Sequence, residues 1–324
     1  MTSHIKHGGL ESRSTVRLDG HHRSDGHRRT SINDVAFSCD GYYIGSAASD
    51  QTLRIWDVYQ ISNSTTRAFS SSKELSKHTG AVNKIAWDPV NPKILASASA
   101  DKTARIWDLR SKKTDVLEIK TRAENYIIAF SPDGKHICVR DKSDTLHFID
   151  PRSGDNQGQI KVVENVKDMK WSPSGDSFLI ATSDGSVSVN SWPSLKLQRK
   201  IQAHQSGCTC IDFDKRSSRF AIGGGDAIVT LWDVDEYYCI RSLESCEFPV
   251  RCTVFSHDGL LLASGYDGVD ESFIDIAGTD TGKLVHKLQV GLAFNSLAWH
   301  PSKMLLAYCG EDFNEEPTLS VFGF

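Results

Sequence analysis

The chain repeats a single pattern with a spacing of about 42 residues. Seven short apolar segments each place an aromatic residue just before a polar turn, and successive aromatics lie 41 to 50 residues apart. These aromatics are Phe37, Trp87, Phe130, Trp171, Phe213, Phe255 and Trp299. A spacing of roughly 40 to 45 residues is typical of repeats that each fold into one four-stranded β-sheet. The pattern therefore predicts seven such sheets in one chain.

Each repeat carries further strand and turn signals after its aromatic residue. Asp133-Gly134 is typical of a tight hairpin turn, and Ile94–Ser99 is an apolar run suited to a second strand. Three repeats end in a Trp-Asp pair, at Trp56-Asp57, Trp107-Asp108 and Trp232-Asp233. In these pairs the chain resembles the WD40 repeat proteins. The resemblance and the spacing together predict an all-β fold, a seven-bladed WD40 β-propeller.

The two ends of the chain indicate how the ring closes. The seventh repeat has three strand-like segments, at residues 295–299, 304–308 and 318–322. Residues 14–18 alternate polar and apolar, and we predict that they supply the fourth strand, because an unclosed ring leaves an exposed strand edge. This assigns residues 1–13 to a flexible N-terminal segment and residues 14–324 to a single propeller. The Ser/Thr-rich residues 61–72 are predicted to be an extended loop with its neighbouring outer strand.

The second repeat has the residue types of a buried polar network. The resemblance to WD40 proteins implies one hydrogen-bonded chain of side chains, formed by His78, Ser97, Asp101 and Trp107. Such a chain stabilises a blade, because polar groups that are buried without partners are costly.

The fifth repeat matches the second only in part. It keeps His204, Asp226 and Trp232 but has glycines at residues 223–225, where the hydroxyl group is expected. Its network is therefore predicted to be incomplete.

Composition argues against several classes of function. The formal net charge of -4 excludes a uniformly basic nucleic-acid-binding protein. No segment approaches the roughly 18 consecutive apolar residues of a membrane span. The first residues lack the apolar core of a secretory signal, which indicates the cytosol or the nucleus.

No residue pattern indicates catalysis. Five of the 12 histidines fall in the first 27 residues, and no Ser, Cys or Asp stands in a triad-like motif. Cys208 and Cys210 form a close pair, but no second pair follows at zinc-site spacing. We therefore expect no enzymatic activity, cofactor, metal ion or small-molecule substrate.

Two basic clusters leave RNA contact open. They consist of Arg23, Arg28 and Arg29 near the N-terminus, and of Arg110, Lys112 and Lys113 after the second repeat. Each is typical of a solvated surface, but each could also bind RNA phosphates weakly.

Several segments depart from the generic repeat in ways that specify a family. Phe273-Ile274-Asp275-Ile276 stands where other repeats carry Trp-Asp, Pro249-Val250-Arg251 precedes the sixth aromatic, and Ala298-Trp299-His300-Pro301 surrounds the seventh. In these segments, and more weakly across all seven repeats, the chain resembles the WD-repeat subunit 3 family of the THO complex.

The resemblance implies a non-catalytic scaffold in a nuclear assembly that couples transcription to mRNA processing and nuclear mRNA export. Its partners would be other THO subunits and, indirectly, a DEAD-box RNA helicase and an RNA-binding export adaptor; RNA contact would be weak or indirect. Arg251 is the candidate partner contact, because arginine side chains often dominate binding energy. The alternative for Arg251 is an ion pair with a nearby Asp.

A second family remains an alternative. Residues 94–110 resemble the box found in propellers that serve as substrate receptors of cullin-4 ubiquitin ligases. The distinguishing end of that box is Trp107-Asp108-Leu109-Arg110, so Arg110 is the candidate adaptor contact. Partners recovered from nuclear extract would separate the two hypotheses.

Overall fold

The computed structural model describes residues 15–18, 30–62, 68–69, 71–111, 115–216, 218–243, 246–268, 271–312 and 317–323. In these residues the chain forms seven β-sheets and one short helix, α1 (Val58–Ser62). Each sheet corresponds to one predicted repeat, so the seven-bladed propeller is confirmed. We number the blades one to seven in the order of these repeats.

The innermost strands of the blades form a closed ring. They are β2 (Ile32–Phe37), β7 (Val82–Trp87), β11 (Asn125–Phe130), β15 (Val166–Trp171), β19 (Cys208–Phe213), β23 (Val250–Phe255) and β27 (Leu292–Trp299). Each of these strands contacts the next one, and β27 contacts β2. The seven repeated aromatics are the last residues of these strands. An aromatic residue at this position can link two blades: Trp87 Nε1–H donates to the Ala36 carbonyl of the preceding blade at 3.0 Å.

Two more strands of each blade pair antiparallel outside the inner one. The second strands are β3 (Tyr43–Ala48), β8 (Ile94–Ser99), β12 (Ile137–Asp141), β16 (Ser177–Thr182), β20 (Arg219–Gly224), β24 (Leu261–Asp267) and β28 (Leu306–Asp312). The third strands are β4 (Leu53–Asp57), β9 (Thr103–Asp108), β13 (Thr145–Ile149), β17 (Ser186–Ser191), β21 (Val229–Asp233), β25 (Ser272–Gly278) and β29 (Pro317–Phe322). Their apolar side chains pack between blades: Ala47 and Leu53 of blade one share a core cluster with Ile85 and Trp87 of blade two.

The outer strands are more exposed and more polar than the others. In blades one to six they are β6 (Lys73–Leu75), β10 (Asp115–Lys120), β14 (Asn156–Lys161), β18 (Leu197–Gln202), β22 (Cys239–Leu243) and β26 (Leu284–Val290). The outer strand of blade seven is β1 (Thr15–Leu18), from the other end of the chain.

The predicted closure of the ring by the N-terminus is confirmed. Strand β1 pairs antiparallel with β29, in a register that sets Val16 against Val321 and Leu18 against Leu319. Leu18 is 1% exposed and lies in one core cluster with Ile61. Residues 1–14 lie outside the described residues, so the flexible N-terminal segment stays a prediction.

The segment predicted as an extended loop contains regular structure. Its start, Ile61, belongs to α1, and strand β5 (Ala68–Phe69) pairs parallel with β1 on the outside of blade seven. The chain between β4 and β6 of blade one therefore extends to blade seven, where β5 contacts the closing strand β1. Residues 63–67 and 70 of this segment lie outside the described residues.

A buried histidine fills the junction between blades seven and one. His300 is 2% exposed, and its Nε2–H donates to the Gly41 carbonyl at 3.1 Å. Burial lowers the pKa of His300 to about 4, so that near pH 7 the Nδ1 atom is free to accept the N–H groups of Ser302 and Lys303. Gly41 has a φ of +75°, and a Cβ there would lie 2.4 Å from the imidazole ring, which explains the glycine.

The blades present their loops at two ends of the ring. Asn33 Nδ2 donates to the Val82 carbonyl and Asn83 Nδ2 to the Asn125 carbonyl, so equivalent positions face each other and the inner strands run in the same direction. Loops joining first to second and third to fourth strands therefore share one end, which we call the hairpin face. Loops joining second to third strands and successive blades share the other end, the network face. Within the described residues, no helix is long and apolar enough to cross a membrane.

Candidate interaction surfaces

On the network face, a chain of four side chains joins the loops of blade two to its strands. Trp107 Nε1–H donates to Ser97 Oγ at 2.8 Å. Ser97 Oγ lies 2.7 Å from His78 Nε2, and His78 Nδ1 lies 2.7 Å from Asp101 Oδ2. Because a carboxylate can only accept, His78 Nδ1–H donates to Asp101, and the serine hydroxyl, whose oxygen accepts the indole N–H, has its own hydrogen to donate to His78 Nε2.

Asp101 anchors this chain in the turn between β8 and β9. Burial by itself raises the pKa of the Asp101 carboxyl, but hydrogen bonds from His78, Thr103 and the Thr79 N–H outweigh burial and hold the pKa well below its usual range. The carboxylate also accepts from the Thr103 N–H at 2.9 Å. One ionised side chain thus fixes two loops of the network face.

We expect Asp101→Ala to destabilise the folded protein by about 1–3 kcal/mol, because His78 and two backbone N–H groups lose a buried acceptor. Chemical denaturation measures this loss. Asp235→Ala is the matched control, since Asp235 is exposed on the hairpin face. Equal denaturation midpoints for the two variants would show that the chain contributes nothing to stability.

The prediction of an incomplete network in blade five is wrong. Trp232 Nε1–H donates to Thr230 Oγ1 at 2.8 Å, and that oxygen lies 3.1 Å from His204 Nε2. His204 Nδ1 lies 2.9 Å from Asp226. The strand register sets Ile222 at the position of Ser97, so the hydroxyl comes from the third strand instead of the second. Thr230 carried a detectable signal, a hydroxyl two residues before the Trp on the same strand face.

Charged side chains near the ring axis link the inner strands. The Asp34 carboxylate, 2% exposed, accepts from Lys84 Nζ at 2.9 Å, from the Ile85 N–H at 3.0 Å and from Ser296 Oγ at 2.7 Å. It therefore joins blades seven, one and two. Burial alone lowers the pKa of Lys84, but Asp34 and Asp168 outweigh it, so this pKa is raised.

Two other aspartates on inner strands also accept a backbone N–H from the next blade. Asp168 accepts from the Ile211 N–H at 2.9 Å, and Asp212 accepts from the Phe255 N–H at 2.9 Å. Each carboxylate lies on one inner strand and bonds the next. Sequence reasoning overlooked these residues because an isolated Asp in a strand carries no repeat signature.

Arg251 lies near the start of β23, at the network face. Its side chain is 59% exposed, and Nε pairs with Asp267 at 3.1 Å. Asp267 also accepts from the Phe294 N–H at 2.7 Å and from Ser272 Oγ, so it is held in place without Arg251. Arg251 therefore forms an ion pair with a nearby Asp while its guanidinium still faces solvent, and the partner contact stays a prediction.

Arg110 lies on the opposite face, after the third strand of blade two. It forms a two-pronged pair with Asp108, with Nε at 2.9 Å from Oδ1 and the terminal nitrogen at 2.7 Å from Oδ2. The side chain is 59% exposed. Arg110 and Arg251 therefore cannot belong to one contact patch. The other members of the two basic clusters, Arg23, Arg28, Arg29, Lys112 and Lys113, lie outside the described residues.

In the described part of the chain, no group of three or more His, Cys, Asp or Glu side chains is arranged to hold a metal ion. The eight cysteines are all free. Burial raises the pKa of the Cys208 and Cys210 thiols to about 12, so neither is a reactive thiolate near neutral pH.

Comparison with protein families identifies the repeats. The WD domain, G-beta repeat family matches residues 17–57, 69–108 and 237–270. The WD40 domain of anaphase-promoting complex subunit 4 matches residues 158–216. In structure, the Cps50 (Swd1) β-propeller domain of Myceliophteria thermophila superposes with a TM-score of 0.80 at 17% identity, covering 96% of this chain and 100% of that one. This likeness concerns the fold alone.

Relatives that match about nine tenths of this chain indicate a narrower family than the repeat models do. THO complex subunit 3 of Arabidopsis thaliana is 36% identical over 92% of this chain and 94% of its own length. WD repeat-containing protein AAC3 of Dictyostelium discoideum is 31% identical over 90% of this chain and 64% of its own length. Eukaryotic translation initiation factor 3 subunit I of Drosophila melanogaster is 24% identical over 92% of this chain.

Proposed function

The chain belongs to the THO complex subunit 3 family of WD-repeat proteins, and from this we propose that it is a non-catalytic scaffold subunit of a THO complex. In this role it couples transcription to mRNA processing and nuclear mRNA export through protein–protein interactions. The observation that carries the proposal is the similarity to the Arabidopsis protein along nearly the whole of both chains. At 36% identity this match is closer than the 24% identity to the initiation factor subunit over the same share of this chain.

The proposal gives the protein a nuclear location and other THO subunits as direct partners. A DEAD-box RNA helicase and an RNA-binding export adaptor are reached through those subunits, and RNA contact is weak or indirect. Two features support a scaffold: hydrogen-bonded side chains fix the network-face loops of blades two and five, and Asp34 joins three blades. Such loops lose little conformational freedom when a partner binds.

We further propose Arg251 as a partner contact on the network face. Its guanidinium is exposed, while its ion-pair partner Asp267 keeps other hydrogen bonds. An arginine that a partner covers can contribute much of the binding energy, because it combines apolar contact with several N–H donors.

Affinity purification of the tagged protein from nuclear extract tests both proposals. The wild type is expected to recover other THO subunits, and Arg251→Glu to reduce that recovery about tenfold, as for the loss of one contact worth about 1.4 kcal/mol. Arg216→Glu is the matched control, because Arg216 is an exposed arginine on the hairpin face. Both variants should melt like the wild type.

The possible outcomes separate the hypotheses. Recovery of a cullin-4 adaptor without any THO subunit by the wild type would overturn the proposed function. Undiminished recovery of THO subunits by Arg251→Glu would exclude Arg251 as a contact and leave the function standing.

A further inference from the structure

A cleft of about 410 Å³ opens between blades one and two toward the hairpin face. It forms because β6 is short: the pairing of β6 with β4 runs from Leu53 to Ile55, whereas β4 continues to Asp57. Leu109, which is half-buried, supplies most of the apolar lining, and Ile55, 4% exposed, lies beneath it. The volume falls within the range of about 300–1,000 Å³ that is typical of ligand pockets.

Cationic side chains line the same cleft without an ionic partner inside it. Lys73 Nζ donates to the Leu109 carbonyl at 3.2 Å, and Lys93 Nζ contacts the Tyr43 hydroxyl and lies 4.0 Å from the centre of the Tyr43 ring. Among the described residues, neither ammonium group forms an ion pair. Arg110, the third cation, keeps one side of its guanidinium exposed while it pairs with Asp108.

The lining also contains one carboxylate, Asp57, which forms no ion pair with these cations among the described residues. Asp57 Oδ1 accepts from the N–H groups of Tyr59 and Gln60 at the start of α1. Tyr59, which lies in α1, and Tyr42, whose carbonyl accepts the Val58 N–H, are 69% and 63% exposed, and each directly precedes in sequence a residue that lines the cleft, Gln60 or Tyr43. Exposed tyrosines around a recess are typical of protein-binding surfaces.

We propose that this cleft binds an acidic peptide segment of a partner protein, with an apolar side chain in the recess and Asp or Glu carboxylates on Lys73, Lys93 and Arg110. Charge complementarity carries the assignment. A nucleic-acid strand fits less well, because the apolar recess can take a peptide side chain but offers a phosphate group no contact. The inference stands on the geometry of the cleft and does not rest on the proposed THO function.

Fluorescence anisotropy with purified full-length protein tests the proposal. The probe is a fluorescein-labelled peptide with leucine at its centre and Asp and Glu on both sides; its counterpart carries Asn and Gln instead. The wild type is expected to bind the acidic peptide at least about tenfold more tightly than the neutral one, with an affinity that falls as salt is added. The double variant Lys73→Glu, Lys93→Glu should lose at least about tenfold in affinity.

Two controls keep the test decisive. Lys73→Arg with Lys93→Arg retains both charges and should retain binding, whereas Lys283→Glu reverses an exposed lysine elsewhere on the hairpin face and should change nothing. If the double charge reversal lowers the melting temperature, Lys73→Glu alone replaces it, because Lys73 is exposed.

Equal peptide binding by the wild type and the charge-reversed protein would overturn the proposal, as would no binding of the acidic peptide by the wild type. A labelled oligouridine is measured in parallel. If the lysine variants weaken oligouridine binding and the acidic peptide does not bind, the cleft is an RNA surface and the proposal is wrong. All these outcomes are independent of which subunits the protein recovers from nuclear extract.

Discussion

Removal of residues 1–18 is expected to lower the thermal midpoint by about 5–9 °C and to make the protein self-associate. The deletion removes β1, which buries Val16 and Leu18 at 8% and 1% exposure. Burial of two such side chains contributes roughly 3–6 kcal/mol, and each kcal/mol shifts the midpoint of a domain of this size by about 1.5 °C. Without β1, strand β29 also becomes an unpaired edge, which can pair with a second molecule.

Thermal melting at a fixed scan rate and size-exclusion chromatography measure the two effects. Val16→Asp with Leu18→Asp should reproduce them in the full chain, because the strand cannot dock with two buried carboxylates. Arg17→Lys is the matched control on the exposed face of the same strand. A truncated protein that stays monomeric with an unchanged midpoint would mean that β1 does not stabilise the ring.

Asp34→Ala is expected to reduce the free energy of unfolding by about 2–4 kcal/mol, through loss of a buried acceptor that three donors share. The Ile85 N–H and the Ser296 hydroxyl become unsatisfied. Lys84 also loses its partner, but its side chain is 37% exposed, so water compensates part of that cost. Urea denaturation measures the change.

A double-mutant cycle with Lys84→Met separates the charge from the backbone contact. If the uncompensated ammonium group causes most of the loss, Lys84→Met should restore stability to Asp34→Ala. Asp34→Asn keeps an oxygen that can accept the Ile85 N–H, so it should be less harmful than alanine. An Asp34→Ala protein as stable as the wild type would show that the carboxylate does not hold the blades together.

Local patterns in the chain were sufficient for the architecture. The aromatic residue that ends each inner strand recurs because every blade packs the same surface against its neighbour, as Trp87 does on blade one. Alternation in residues 14–18 revealed the closing strand, since a strand with one buried face has a period of two. Strand ends were less accurate: the segment predicted at 304–308 is β28, which begins at Leu306 and continues to Asp312.

In the candidate interaction surfaces, too, some residues were indicated by the sequence and others were decided only by the tertiary structure. The four side chains of the blade-two network could be named in advance, because the resemblance to WD40 proteins implies them and all four lie within one repeat. The position of Thr230 two residues before Trp232 was an indication of the blade-five network but did not decide it, since the strand register determines whether a hydroxyl from the second or the third strand reaches His204. The cleft beside Lys73 and Lys93 was invisible for a related reason, as its residues come from different blades and a short outer strand opens it.

The sequence by itself determined the number of blades, their strand order and the strand that closes the ring, because each of these follows from the periodic burial of apolar side chains along one chain. Only the tertiary structure decided which charged groups meet across blades, as at Asp34, and that Arg110 and Arg251 lie on opposite faces. Contacts between blades join residues that are about 40 to 260 positions apart, and no local pattern records such a distance.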